Sequence, residues 1–237
     1  MIEAILFDLD GTLLPMDQEV FIKTYFGELT KKMAAYGCEP ELLIKWVWAG
    51  TEAMVKNNGG KTNRELFFEV FTEVSGLDAD VYEPIFDRFY VEEFDSVKRI
   101  LGASFGQKEM IAALKAKNYK VVLATAPVFP KAAVETRLGW IGMKTADFDH
   151  ITTYENCHYC KPNTAYYNEI FETINSPAEK CLMIGNNARE DMSAAKLGAE
   201  TFLLTDYLEK TNCEEADLYR YGSTAELLAF LEEFPGM

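Results

Sequence analysis

The chain has 237 residues, 49% of them hydrophobic, which is enough to bury the core of one large domain or two smaller ones. Its 23 basic and 38 acidic residues give a formal net charge of -15, which argues against a nucleic-acid partner because proteins that bind the phosphate backbone need a basic surface. The sequence shows neither a signal-peptide pattern nor an apolar run near the ~20 residues that span a bilayer. We therefore expect a cytoplasmic protein without a membrane partner.

The first predicted element is a short buried strand, residues 4–7, that runs directly into Asp8-Leu9-Asp10-Gly11-Thr12. In extended chain, carboxylates two residues apart point to the same side, where they repel unless one is protonated or a cation lies between them. The pattern therefore predicts a divalent metal such as Mg2+, a carboxyl that acts as an acid, or both; two solvated carboxylates in a surface turn are the alternative. Gly11 would let the backbone turn sharply so that neighbouring N–H groups approach an anion.

After Pro15 the sequence changes to apolar residues at helical spacing, with no strand pattern among them. Thr62 and Glu65 form a predicted capping box, and Gly76 is a predicted helix stop. Four helices are expected, over residues 17–36, 41–56, 62–74 and about 80–98. They form a helical insertion after the first strand.

From residue 106 onward, short apolar strands alternate with amphipathic helices. This alternation predicts an α/β fold with a parallel sheet that helices cover on both faces, and the first strand belongs to the same sheet. The predicted strands are 120–124, 150–153, 181–184 and 201–204. The predicted helices are 108–117, 131–138, 164–174 and 190–197.

Polar residues follow three of these strands. They are Asp8, Thr125 and the pair Asn186-Asn187. Because the carboxyl ends of parallel strands border the ligand crevice of open α/β sheets, we expect these groups to meet in one pocket.

Five cysteines give no disulfide framework, so reduced thiols are expected. Cys157-His158-Tyr159-Cys160 is the sharpest exception, because a C-x2-C pair can bind zinc. Cys181, Cys213 and His150 are all isolated, so a buried or loop-lining pair is the alternative. The Cys157–Cys160 segment directly precedes Lys161 in the sequence.

Four motifs occur in an order that resembles the haloacid dehalogenase-like (HAD) hydrolase superfamily. They are Asp8-Leu9-Asp10-Gly11-Thr12-Leu13, Thr125 at a strand end, Lys161-Pro162, and the segment from Gly185 to Asp191. The resemblance implies a Rossmann-like α/β core domain of residues 1–15 and 99–237 and a small all-helical cap domain of residues 16–98.

The resemblance also implies roles for the motif residues in a phosphatase. Asp8 would be the nucleophile and form an aspartyl-phosphate, and Asp10 would be the general acid and base. Thr125 and Lys161 would hold the phosphoryl oxygens. Mg2+ would be bound by Asp8, the carbonyl of Asp10, and Asn186 and Asp191 of the fourth motif.

Two positions depart from the family pattern. Asn186 replaces the usual first aspartate of the fourth motif, and a neutral amide oxygen binds Mg2+ less tightly than a carboxylate. Ala126 follows Thr125 where an asparagine is common, so one side-chain donor to substrate is lost. We expect weakened or rearranged metal binding.

The expected substrate is a small phosphorylated metabolite, because a helical cap over a strand-end pocket suits an enclosed ligand. A catalytically weak protein that binds a phosphorylated ligand or a protein partner is the alternative, and a phosphomutase shares the same intermediate. A dehalogenase is less favoured because it needs no acid for the leaving group. The predicted substrate contacts are Gly11, Thr12, Ala126 and the basic segment residues Lys56, Lys61 and Arg64, whose alternative role is a solvated connection.

Overall fold

A computed structural model describes residues 1–209 and 219–236. Within these residues the core is a six-stranded sheet in the order β3-β2-β1-β4-β5-β6, and every pairing is parallel. This confirms the predicted α/β class. The strands are β1 (Ala4–Phe7), β2 (Lys120–Leu123), β3 (His150–Ile151), β4 (Cys181–Gly185), β5 (Glu200–Leu204) and β6 (Arg220–Gly222).

The central strand β1 sets the level at which the neighbouring strands end. Phe7 pairs with Leu123 of β2 on one side and with Ile184 of β4 on the other. The polar segments that follow these three strands therefore start side by side. Alternate side chains of β1 enter different hydrophobic clusters, so that Ile5 packs with one and Leu6 with the other. Helices cover both faces because both are apolar.

Four α-helices follow β1 before residue 98, in a stretch that the structure describes throughout. They are α1 (Gln18–Ala34), α2 (Pro40–Val55), α3 (Asn63–Ser75) and α4 (Ala79–Glu92). The remaining α-helices of the described residues are α5 (Gln107–Ala116), α6 (Lys131–Trp140), α7 (Thr164–Thr173) and α8 (Thr224–Glu232). The Thr62–Glu65 capping box forms as predicted, and Gly76 ends α3 in the left-handed conformation with φ 70°.

Three predicted elements differ from the structure. The fourth helix ends at Glu92 and a 3₁₀ helix follows at Phe94–Ile100. The strand predicted at 150–153 stops at Ile151; the N–H of Thr152 still donates to the carbonyl of Leu123, but the N–H of Tyr154 donates to Phe129 and not to the segment that follows β2. The helix predicted at 190–197 is a 3₁₀ helix at Met192–Leu197.

Neither β6 nor α8 was predicted from the sequence. Strand β6 is short, and its residues are partly exposed at the sheet edge. Helix α8 begins with a capping box of Ser223 and Glu226. The division into a core domain and a cap domain at residues 16–98 stays a prediction. Among the described residues, we find no helix with the length and apolar character needed to cross a membrane.

Helices α2 and α3 approach closely at Gly50. A Cβ atom built at this glycine would lie 2.5 Å from the ring of Phe67, which is itself buried. Gly27, in contrast, is an exposed residue of α1 with open space around it. The two glycines therefore test packing and helix propensity separately.

We expect Gly50→Ala to lower the free energy of unfolding by about 1–2 kcal/mol, because overpacking a close helix contact outweighs the propensity gain. Gly27→Ala is the matched control and should raise it by up to about 1 kcal/mol, since nothing opposes the better helix former. Urea denaturation monitored by circular dichroism measures both. A stabilising Gly50→Ala substitution would contradict the close packing.

Candidate active site

The predicted strand-end residues do meet. Asp8 directly follows β1, Thr125 lies two residues beyond β2, and Asn186 directly follows β4, and all three are buried. Lys161 and Asp191 join them from loops and are also buried. Such a group of charged and polar side chains in the interior requires internal partners.

Lys161 supplies the central ion pairs of this group. Its Nζ donates to Oδ1 of Asp8 at 2.8 Å and to Oδ1 of Asp191 at 2.6 Å, and the residue is only 3% exposed. Burial disfavours the charged ammonium, but Asp191 and Asp8 outweigh it, so the pKa of Lys161 is raised well above its ordinary value. Lys161 therefore carries a positive charge beside the Asp8 carboxylate.

Asp10 has a separate partner that the sequence did not reveal. Its Oδ2 accepts a hydrogen bond from Nη1 of Arg137 on α6 at 2.5 Å, and Arg137 is fully buried. The guanidinium lies over the ring of Phe129, with its carbon 4.5 Å from the ring centroid. Arg137 is thus held by an ion pair on one side and a cation–π contact on the other.

Two atoms of the Asp10–Arg137 pair, Oδ1 of Asp10 and Nη2 of Arg137, are buried and have no hydrogen-bond partner among the described residues. Burial raises the pKa of Asp10, and the Arg137 cation opposes that rise. In sequence, Arg137 is a basic residue near the end of a helix, where it would be assigned to the helix dipole. No local pattern distinguishes it from such a surface residue.

The turn after β1 is fixed by the fourth motif. The hydroxyl of Thr12 donates to Oδ1 of Asn186 at 3.2 Å, and Nδ2 of Asn186 donates to the carbonyl of Tyr207 at 2.7 Å. Gly11 has φ 79°, and a Cβ atom there would lie 2.2 Å from Nδ2 of Asn186. Only glycine fits this close approach of the turn to the asparagine.

The backbone of the second motif is held by two side-chain hydroxyls. The carbonyl of Thr125 accepts hydrogen bonds from the hydroxyls of Thr152 at 2.7 Å and Tyr166 at 2.9 Å. These contacts fix the segment that follows β2, where Ala126 lines a cavity beside Lys161. The four predicted catalytic residues Asp8, Asp10, Thr125 and Lys161 therefore belong to one region.

The predicted Mg2+ ligands differ in what they can offer. Both carboxylate oxygens of Asp191 are engaged, one by Lys161 and the other by the N–H of Asn187 at 2.9 Å. Oδ2 of Asp8 accepts no hydrogen bond from the described residues, and Oδ1 of Asn186 accepts one from Thr12. In this arrangement Asp191 is a partner of Lys161, and its role as a metal ligand stays a prediction.

The remaining oxygens still fit a magnesium ion. Mg2+ keeps several waters and is commonly held by one or two protein carboxylates together with substrate phosphate. Asp8 and Asn186 can supply oxygen ligands of this kind. Nowhere in the described part of the chain do three or more His, Cys, Asp or Glu side chains form a complete metal cage.

The basic segment does not face this region. Lys56 pairs with Glu52, Lys61 with Glu69, and Arg64 with Glu83. Lys56 and Lys61 have 72% and 52% of their side chains exposed, and none of the three basic residues lines the cavity. The structure thus does not place these cations at the cavity; they pair with acidic neighbours on α2, α3 and α4.

The start of α3 is hydrogen-bonded to the Cys157–Cys160 segment. The N–H of Asn63 donates to the carbonyl of Cys157 at 2.8 Å, and its Nδ2 donates to Sγ of Cys160 at 3.3 Å. Both cysteines are buried, and burial raises the pKa of Cys160 to about 12. This favours the loop-lining alternative over a zinc site, and Cys213 lies outside the described residues.

A cavity of about 330 Å³ lies between helices α1–α4 and the strand ends. Its floor includes Ala126 and Lys161, and its walls come from the helices and the loop before α6. Cys160, Glu190 and Glu209 also line it. A cavity of this size matches the volume of small-molecule sites.

The Asp10–Arg137 pair gives a stability test. Arg137→Met leaves the Asp10 carboxylate buried without a partner, and we expect a loss of about 3–5 kcal/mol in unfolding free energy. Asp10→Asn/Arg137→Met removes both charges and should lose less than the sum of the two single substitutions. Chemical denaturation of the native protein, Asp10→Asn, Arg137→Met and the double variant measures the coupling energy between the two side chains. Additive losses would mean that the two side chains do not interact.

Comparisons with known proteins agree with this geometry. Residues 2–198 match the family model of a haloacid dehalogenase-like hydrolase. The pyrophosphatase PpaX of Bacillus cereus (strain G9842) is 22% identical over 207 residues, which cover 84% of this chain and 82% of that protein.

Solved structures show the same fold. A predicted phosphoglycolate phosphatase from Haemophilus somnus 129PT has a TM-score of 0.59 at 18% identity, with 97% of both chains covered. An HAD phosphatase from Thermococcus onnurineus has a TM-score of 0.60 at 18% identity, with 97% of this chain and 98% of that chain covered. Since the family model covers well over half of the sequence and confirms the resemblance of its motifs, this chain belongs to the haloacid dehalogenase-like hydrolase family.

Proposed function

We propose that this hydrolase is a phosphatase that cleaves a small phosphate monoester through an aspartyl-phosphate on Asp8. The observation that carries the proposal is the Asp8 carboxylate at the end of the central strand, with one oxygen held by Lys161 at 2.8 Å. The second oxygen accepts no hydrogen bond from the described residues and is available for attack. Relatives named as a pyrophosphatase and a predicted phosphoglycolate phosphatase support chemistry on phosphate groups.

In the first step, Oδ2 of Asp8 attacks phosphorus and the bond between phosphorus and the leaving oxygen breaks. The electron pair goes to the leaving oxygen, which takes a proton from Asp10. Oδ1 is the Asp10 atom suited to carry that proton, because Arg137 occupies Oδ2. Burial keeps the pKa of Asp10 raised, as an acid near neutral pH requires.

In the second step, water attacks the phosphorus of the aspartyl-phosphate and gives a proton to the Asp10 carboxylate. Phosphate leaves and Asp8 is restored. Throughout, the Lys161 ammonium stabilises negative charge on the phosphoryl group at short range. Asp191 keeps Lys161 in place through the 2.6 Å ion pair.

Mg2+ is the proposed cofactor. Asp8 and Asn186 would hold it, and when bound it would neutralise part of the repulsion between the attacking carboxylate and the phosphate dianion. Asn186 contributes no charge, so we propose weaker binding than an aspartate would give. The neighbouring acids Glu190 and Glu209 also line the cavity.

Replacing the nucleophile tests the proposal. Asp8→Asn should lower phosphate release from monoesters by at least about 1,000-fold, because the amide cannot form the intermediate. Lys161→Met should also lose activity, whereas the matched control Lys61→Met should retain it, since Lys61 is exposed and paired with Glu69. Malachite-green detection of phosphate measures turnover.

Full activity of Asp8→Asn would contradict the mechanism. An isomeric sugar phosphate as product, without free phosphate, would instead indicate a phosphomutase. Binding of phosphate esters by the native protein without turnover would support the catalytically weak alternative.

Metal addition tests Asn186. An aspartate here would place a carboxylate oxygen against the carbonyl of Tyr207, which now accepts from the amide. We expect Asn186→Asp to lower the melting temperature without Mg2+ and to show a larger Mg2+-dependent rise in melting temperature than the native protein. Asn58→Asp adds the same charge at an exposed position and is the control. Equal Mg2+ responses of all three proteins would remove Asn186 from the metal site.

A further inference from the structure

The walls of the cavity are strongly aromatic. Phe26, Trp48, Phe68, Tyr90, Phe129 and Tyr154 all line it. Phe68 and Tyr90 come from α3 and α4, Phe129 from the loop before α6, and Tyr154 from the loop after β3. Trp48 is 46% exposed at the rim. Aromatic surfaces of this kind favour flat apolar groups, which they contact face to face or edge to face.

The charges of the lining point to a ligand with one anionic group. Among the described residues, Lys161 is the one cationic side chain that lines the cavity, while Glu190 and Glu209 are acidic. Lys161 already faces Asp8 at the reaction site. A second phosphate or a carboxylate on the substrate would meet aromatic rings or carboxylates, and its desolvation would not be compensated.

Among the described residues, one polar atom of the cavity lining lacks a hydrogen-bond donor. Gln18 lines the cavity, and its Oε1 is buried without a hydrogen-bond partner among the described residues. A buried acceptor without a partner is costly, and a ligand hydroxyl or amino group would satisfy it.

We infer that the substrate is a phosphate monoester whose leaving group is an aromatic alcohol with one hydrogen-bond donor. The inference rests on the proposed phosphatase function for its reacting end, where the phosphate lies against Asp8 and Lys161. The ring fills the aromatic part of the cavity, and the donor reaches Gln18. The cavity volume of about 330 Å³ suits a leaving group of one or two rings.

Such a substrate differs from those named for the relatives. Pyrophosphate carries a second phosphate and phosphoglycolate carries a carboxylate, and the lining offers no additional cation among the described residues for either. Recognition of the leaving group is therefore expected to be hydrophobic in this chain.

The test compares two esters with similarly reactive alkyl leaving groups, 2-phenylethyl phosphate and ethyl phosphate. Burial of one phenyl ring should raise kcat/KM for the former by about 30-fold or more. A hydroxyl on the ring supplies the donor for Gln18, so 2-(4-hydroxyphenyl)ethyl phosphate should exceed 2-phenylethyl phosphate in kcat/KM, and equal values would overturn the assigned donor. Phosphoglycolate and pyrophosphate should be poorer substrates than 2-phenylethyl phosphate. Equal values for the two alkyl esters, or a preference for the doubly anionic substrates, would overturn the inference.

Binding to the Asp8→Asn protein separates this inference from the proposed function. Calorimetry should show tighter binding of 2-phenylethyl phosphate than of ethyl phosphate, whether or not the native protein turns over either ester. Selective binding without any hydrolysis would reject the phosphatase and keep the aromatic pocket. Hydrolysis without selectivity would keep the phosphatase and reject the pocket.

Variants on α2 locate the effect. Trp48→Ala should lower the ratio of kcat/KM between the two alkyl esters by about fivefold or more, because it removes ring contacts at the rim. Leu42→Ala is the matched control, since Leu42 lies on the same helix, is 43% exposed and does not line the cavity. Thr51→Lys adds a cation to the lining and should raise activity toward phosphoglycolate relative to 2-phenylethyl phosphate. An unchanged ester ratio in Trp48→Ala would contradict the pocket.

Discussion

The ammonium of Lys161 lies between the buried carboxylates of Asp8 and Asp191, and the rest of the site depends on this arrangement. Two carboxylates brought together at the sheet edge would repel, and burial would favour their neutral forms. The cation opposes both effects, although burial still raises the pKa of Asp191 to about 7, and it leaves one Asp8 oxygen accessible. The same contacts thus give the buried charges their partners and position the proposed nucleophile, because a buried charge needs an opposite charge beside it.

Asp10 is held by a different cation, so the two acids of the first motif have separate hydrogen-bond partners. Arg137 comes from α6 and is stacked on Phe129, so it fixes one oxygen of Asp10 while the other stays without a partner. Separate partners allow one carboxyl to serve as nucleophile and its neighbour to carry a proton. Different environments for like residues are a common way to divide acid and base roles.

The cavity and the reaction site differ in the residues that form them. The reaction site is built from buried ions at the strand ends, whereas the cavity above it is mainly aromatic. The helices between β1 and β2 supply most of those aromatic walls. The proposed chemistry and the proposed preference for an aromatic leaving group therefore depend on different segments. The basic segment of residues 56–64 adds no cation to the cavity because glutamates pair with its charges.

The sequence by itself determined the α/β class, the main helices and the polar residues at three strand ends, because hydrophobic periodicity and strand termini are local patterns. It could not supply the short strand β6 or the early end of β3, beyond which the N–H of Tyr154 donates to Phe129 and not to the segment that follows β2. Only the tertiary structure decided which cation meets which carboxylate: Arg137 is 127 residues from Asp10, and Lys161 is 153 residues from Asp8. Ion pairs at such separation depend on how strands and helices pack, and no local spacing encodes them.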